Sequence, residues 1–170
     1  MEGTCPLHIA TLRRAEALPA WMEGIVLPEG GDMIHGKMIA LSTRGFSEIH
    51  DLTDDVRAAV AESGIQEGIV NVFAIGSTAS VTTIEFEPAL VRDMSEALER
   101  LWPRDMQSHH SETWGDDNGF SHLRASFMGP GLTVPVHRGE VLLGTWQQIV
   151  VLDHDNRPRD RRVFAQVVGE

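Results

Sequence analysis

Cysteine is nearly missing from this chain: Cys5 is the only one in 170 residues. A single thiol can form no intramolecular disulfide and no cysteine-rich zinc knuckle, so a reducing, cytoplasmic setting is expected. Long apolar runs are missing too. No stretch approaches the ~20 residues of a membrane-spanning helix, and Met1 to Arg14 lacks the apolar core and small-residue cleavage site of a secretory signal. Positive charge is scarce, with 14 Lys and Arg against 25 Asp and Glu, a formal charge of −11. Clustered Lys and Arg are what phosphate backbones require, so neither a nucleic-acid partner nor a membrane partner is expected. Hydrophobic residues reach 42%, the proportion of an ordinary globular domain rather than a disordered chain. The length suits one domain.

The patterning divides the chain. Residues 1–34 carry Pro6, Pro19, Pro28 and a Glu29-Gly30-Gly31-Asp32 cluster without clean periodicity, and read as an N-terminal extension. Residues 35–170 read as a single domain. Met38–Thr43 looks like a strand. Thr53 caps a helix through Val56, Ala59 and Val60 that stops at Gly64. Ile69–Ile75 is a continuous apolar run, as expected of a strand buried on both faces. Val81–Phe86 is a β-branched stretch, and Pro88 opens a second helix that Trp102-Pro103 ends. Residues 104–120 read as a long polar loop and Ser121–Met128 as a short helix capped by Ser121. Leu132–Val136, Trp146–Leu152 and Arg162–Val168 read as strands, with Asp153–Pro158 a polar turn. The sum is α+β: a sheet-dominated fold with two main helices and a short third.

Histidine carries the chemical signal. Four of the eight histidines fall between residues 109 and 137, among Glu112, Asp116, Asp117 and Asn118. Imidazole with carboxylate is the donor set of zinc or another divalent ion. If the loop folds back, His110 and His122 meet at one cation. The spacing matches no standard His-x-x-x-His or Glu-x-x-His signature, so solvated loop histidines remain the alternative. His109 reads as a bystander, and His8, His35, His50 and His154 as surface residues. Glu85 shares a strand face with Val81 and Thr83. It is a candidate acid or base if that face is buried and a surface residue if it is not. Gly76-Ser77-Thr78-Ala79-Ser80 could offer hydroxyls and backbone N–H groups to a phosphate, or be a plain turn. The amides of Gln147 and Gln148 could hold a ligand or pair an edge strand. Arg157, Arg159, Arg161 and Arg162 form a basic patch, with a solvated turn as the simpler reading.

These blocks together resemble the YjbQ family. Gly76–Ser80 leading to Glu85, Glu87-Pro88 and Asp93 is similar to its first signature. His110, then Trp114-Gly115-Asp116-Asp117-Asn118-Gly119, Ser121-His122, Ser126 and Gly129, is similar to the second. Leu132–Val136, Gly139 and Leu143-Gly144-Thr145-Trp146-Gln147 resemble the third, and Arg159–Arg162 with Gly169 the C-terminal end. The resemblance spans residues 37–170. It implies a two-sheet, β-sandwich-like core and a homotrimer. It also implies a weak thiamine-phosphate synthase activity, and so a small phosphorylated substrate; the histidine and carboxylate donors above add the expectation of a divalent metal, zinc or magnesium. The implied catalytic set is Glu85, His110, Asp117 and His122, with His110 and His122 as metal ligands. Ser126 and Gln147 are implied substrate contacts, and the hydroxyls of Ser77 and Thr78 in the Gly76–Ser80 segment are expected to join them. The chain departs from the family at Gly76, where many members carry His; His137 or Glu85 would have to stand in for that third imidazole.

Overall fold

The computed structural model describes residues 33–170. His8 and Cys5, with the rest of residues 1–32, lie outside the described residues. Eight strands and four helices follow the order β1 (Met33–Thr43), β2 (Glu48–Asp51), α1 (Thr53–Ser63), β3 (Glu67–Ala74), β4 (Ala79–Ile84), α2 (Pro88–Leu101), α3 (His109–Trp114), α4 (Gly119–Met128), β5 (Gly131–His137), β6 (Glu140–Val141), β7 (Gln148–Asp153) and β8 (Arg159–Gly169). The α+β class therefore holds, with one helix more than the sequence suggested. β1 already begins at Met33, inside the stretch assigned to the extension. No helix among the described residues is long and apolar enough to cross a membrane.

Two antiparallel sheets form the core. One has the strand order β1-β8-β3-β5-β6, the other β2-β7-β4. Val70, Val72, Val163, Ala165 and Val167 of the larger sheet pack against Val81, Ile149 and Val151 of the smaller, with α1 adding Val56, Ala59 and Val60. The reverse face of the small sheet, through Ile84, Val150 and Leu152, packs on Leu98 of α2. β7 is thus the strand buried on both faces. β3 was expected in that role, yet its residues alternate: Val70 and Val72 are fully buried, while Ile69 and Phe73 are each more than two-fifths exposed. An apolar run records that both faces avoid water, not whether the same chain covers both.

Local chemistry sets the helix ends. Gly64, at φ 72°, adopts the left-handed stop after α1. Thr53 is not the cap but the first helical residue. Its hydroxyl bonds Asp51 and accepts from the Ile149 amide at 3.0 Å, tying α1 to β7. Glu87 caps α2 with its carboxylate, accepting from the amides of Ala89 and Leu90. The polar stretch after α2 is not structureless. Ser108 accepts from the Ser111 amide and Gly115 closes with φ 66°, which makes α3 a one-and-a-half-turn helix with no buried residue. Such a helix leaves no hydrophobic stripe to read.

Asp153–Pro158 is the largest correction to the reading of the termini. Asp153, His154 and Asp155 are each at most 1% exposed. Asp153 receives the Arg161 guanidinium (Nε at 2.8 Å) and the Thr43 hydroxyl, and Asp155 receives Arg159 (Nε at 2.7 Å) and Thr78 (3.1 Å). The basic patch is therefore divided: Arg159 and Arg161 are consumed internally by ion pairs.

Candidate functional site

The fold brings part of the expected set together. α3 and α4 are joined by a short turn in which Asp117 takes φ 51°. That turn sets the rings of His110 and His122 with centroids 4.4 Å apart and planes tilted by 53°. Gly119, at the start of α4, makes the approach feasible. A Cβ built there would stand 2.0 Å from Ser108 Oγ, so any side chain pushes the α3 cap away. Gly119→Ala is accordingly expected to cost about 1–3 kcal/mol and to part the two rings. Denaturant unfolding and the loss of ring–ring proximity in NMR measure these two effects.

Around the pair, Asp116 Oδ1 lies 3.8 Å from His110 Nε2, too long for a hydrogen bond. Buried Asn118 is closer. With its amide nitrogen turned towards the cluster, it donates to His110 Nε2 at 3.2 Å and to both Asp116 oxygens. The His122 pKa is held below the usual imidazole value, first by burial and then by the positive form of His110. Neutral His122 therefore keeps a free lone pair at neutral pH, as a base or a ligand requires.

Two cavities flank His122. One, of about 630 Å³, is lined by Met106, Ser108, His110, His122 and Leu123 among others. The other, of about 390 Å³, is lined by Phe73, Gly76, Ser77, His122, Ser126 and Pro130 among others. Ser77, Ser126 and His122 thus line the same cavity, and His122 lines the other as well.

The remaining candidates lie elsewhere. Glu85 sits one residue beyond the end of β4 and is exposed. Its strand runs roughly 20 Å from Ala79 at about 3.3 Å per residue, so Glu85 occupies the end remote from His122. Gln147 is at that same remote end, where its amide donates to Thr83 Oγ1 at 3.0 Å and accepts from the Gly144 amide at 3.1 Å. That is loop fastening. Thr78 is buried, its hydroxyl shared between Asp155 and Arg161, so it has no capacity left for a phosphate. Asp117 is exposed and lines a third space beside Arg104 and Ser111, not the histidine cavities. His137 is bound to Glu67 at 3.0 Å on the larger sheet, away from the pair. His35 and His50 are half-buried rather than fully exposed. His154, read as a surface residue, is wholly buried.

Comparison with known proteins agrees with the sequence blocks. The profile of the UPF0047 protein YjbQ-like family matches residues 37–170. The chain belongs to that family. A UPF0047 protein of Methanothermobacter thermautotrophicus is 37% identical over 137 residues, spanning 81% of this chain and 94% of its own length. The crystal structure of a YbjQ-like protein of unknown function from Sulfolobus solfataricus superposes with a TM-score of 0.78 at 31% identity, covering 82% of this chain and all of that one. A YjbQ/UPF0047 protein from Clostridium acetobutylicum gives 0.71 at 32% identity, covering 77% and 98%. The fold and the family of this YjbQ-like domain are therefore established, and the family is one of unknown function.

The metal question turns on donors. Among the described residues no group of three or more His, Cys, Asp or Glu is arranged around one point. His110 and His122 stand together with Asp116 beside them, and a cation on His110 Nε2 would displace the Asn118 amide. Two imidazoles fit zinc; magnesium takes oxygen ligands almost exclusively.

Proposed function

We propose that this YjbQ-like protein binds a small phosphorylated molecule in the cleft around His122 and acts on it as a metal-assisted, thiamine-phosphate synthase-like enzyme. The supporting observation is the position of His122: neutral, 4.4 Å from His110, and shared by two cavities, one of which also carries the Ser77 and Ser126 hydroxyls. In this reading Ser77 and Ser126 hold phosphate oxygens, and the single lone pair of His122 serves either as a metal ligand or, with no ion bound, as a base. Asn118 orients His110 while no ion is bound and gives way to one on Nε2. A zinc ion held by His110 and His122 would supply charge neutralisation to a leaving pyrophosphate.

The molecule would work in the cytoplasm as a homotrimer. The outer face of the larger sheet supports self-association. In strand register, Ile34 of β1 faces Val168 of β8, which faces Ile69 of β3, and Met38, Phe164 and Phe73 form a second apolar row. Ile34, Met38, Ile69 and Phe73 are each at least 44% exposed, and these exposed apolar rows, on either side of the Gly36-Gln166-Asn71 row, support an interface. A subunit boundary there would place a partner close to Phe73, which lines the smaller cavity.

His122→Ala tests the reading. Elemental analysis should show loss of bound zinc relative to the parent, and calorimetry should show at least about tenfold weaker binding of a pyrimidine phosphate, roughly 1.4 kcal/mol. Unchanged metal content and affinity would refute it. A second reading, a binding protein without chemistry, draws support from the remoteness of Glu85, which leaves the histidines short of an acid–base partner. Tight binding with no product across a panel of phosphorylated metabolites would select it.

A further inference from the structure

His154 takes no part in the reading above, yet it lies beneath it. The residue is 0% exposed. Its Nδ1 is 2.9 Å from Ser47 Oγ and its Nε2 is 3.0 Å from Ser80 Oγ. Its main chain is engaged as well: the carbonyl accepts from the Ser121 hydroxyl at 2.7 Å, and the amide donates to the Thr78 carbonyl at 2.9 Å. Ser121 precedes His122, and Thr78 follows Ser77. One buried residue therefore fastens both walls of the smaller cavity.

The direction of these hydrogen bonds is fixed by one member. Arg124 can only donate, and its Nη1 lies 3.0 Å from Ser47 Oγ. Ser47 therefore accepts from Arg124, and its own proton goes to His154 Nδ1. The ring must then carry its proton on Nε2 and donate it to Ser80, whose hydroxyl points on to the Ala125 carbonyl at 3.4 Å. The opposite order would leave Ser47 receiving two protons with no acceptor for its own, in a site without water access, at a cost of about 1–3 kcal/mol. The ring of bonds starts at Arg124 and ends at Ala125, adjacent residues of α4.

We propose that His154 is a positioning residue, a neutral Nε2–H imidazole closing a one-way hydrogen-bonded ring from Arg124 through Ser47 and Ser80 back to Ala125. This ring holds α4, and with it His122 and Ser126, in place against the Ser77 turn. The ring itself stands on geometry alone; its consequence for function rests on the reading of His122 as a site residue.

Nitrogen-15 NMR of the histidine rings in the full chain, without added ligand, tests the tautomer. The expected spectrum shows His154 neutral with its proton on Nε2 at pH 7. An Nδ1–H or doubly protonated ring overturns the proposal. Ser80→Ala, a mild change expected to fold, tests the positioning. In that variant the His110 and His122 rings should lose their NMR ring–ring proximity and the α4 amides should exchange faster with solvent as the helix loosens. Ser80→Thr, which keeps the hydroxyl, should restore both. A folded Ser80→Ala protein with unchanged ring proximity and α4 exchange overturns the positioning role. Neither readout uses a phosphate ligand or a metal, so failure here is distinct from failure of the His122→Ala binding test.

Discussion

Asp153→Ala should destabilise the protein by about 3–5 kcal/mol, the cost of stranding a buried charge whose partner has been removed. Arg161 is 8% exposed and points its Nε at Asp153 from 2.8 Å. Its remaining contacts are the Thr78 hydroxyl at 2.8 Å and a more distant Asp155 oxygen at 3.5 Å. Without Asp153 the Asp155 amide, which bonds Asp153 Oδ1 at 2.9 Å, also loses its acceptor, while the Thr43 hydroxyl keeps only the Arg159 carbonyl at 3.1 Å. Urea unfolding measures the loss as a lowered midpoint at unchanged slope. Replacing both members, Asp153→Leu with Arg161→Met, should recover most of it, because desolvated pairs are often no better than apolar residues of similar volume. A single Asp153→Ala change costing under about 0.5 kcal/mol, the scale of ordinary surface substitutions, would show that the pair is not buried as described.

Acid should weaken the fold well before its carboxylates titrate. Burial first, and then the Arg124 charge, push the His154 pKa down to about 3 in the folded protein; unfolded, it returns to about 6.5. Between these values the unfolded chain binds a proton that the folded chain refuses. Stability is therefore complete above pH 6.5 and falls as pH drops, by about 1.4 kcal/mol per unit from this group. His122, also lowered, adds in the same direction. Glu99 enters later. Burial works to raise it, but the Arg104 backbone and the Arg124 and Arg104 side chains outweigh that and bring it to about 2, so its contribution fades only below about pH 4.5. A stability profile between pH 7 and 5 isolates the histidines. His154→Gln should flatten that limb; an equal slope in parent and variant would assign the loss to other groups.

The strands and the two long helices were legible because their residues obey the chain's two simple periods. Gly64, Pro88 and Trp102-Pro103 marked helix ends by backbone chemistry that no packing overrides. α3 escaped notice because a helix that buries nothing has no stripe. The buried trio Asp153-His154-Asp155 read as a turn because composition records polarity and not pairing. Arg159 and Arg161, four and six residues beyond Asp155, were the hint that those charges had partners.

The histidine pair was visible as a concentration of ring nitrogens around a polar stretch, and its convergence follows from the α3–α4 turn. Glu85 and Gln147 failed for a geometric reason. β4 carries Glu85 to the far end of the small sheet, and Gln147, just before β7, is fastened to Thr83 at that same end. Thr78 failed for another: its hydroxyl was already taken by Asp155 and Arg161.

The central claim is that His110 and His122, with Ser77 and Ser126, receive a phosphorylated ligand. Titration of the full chain with inorganic pyrophosphate and zinc, followed through the imidazole NMR signals, addresses it directly. Saturable shifts confined to His110 and His122, while His137 and His154 stay still, are the predicted result. Shifts that never saturate, or that leave both rings of the pair unmoved, would contradict it.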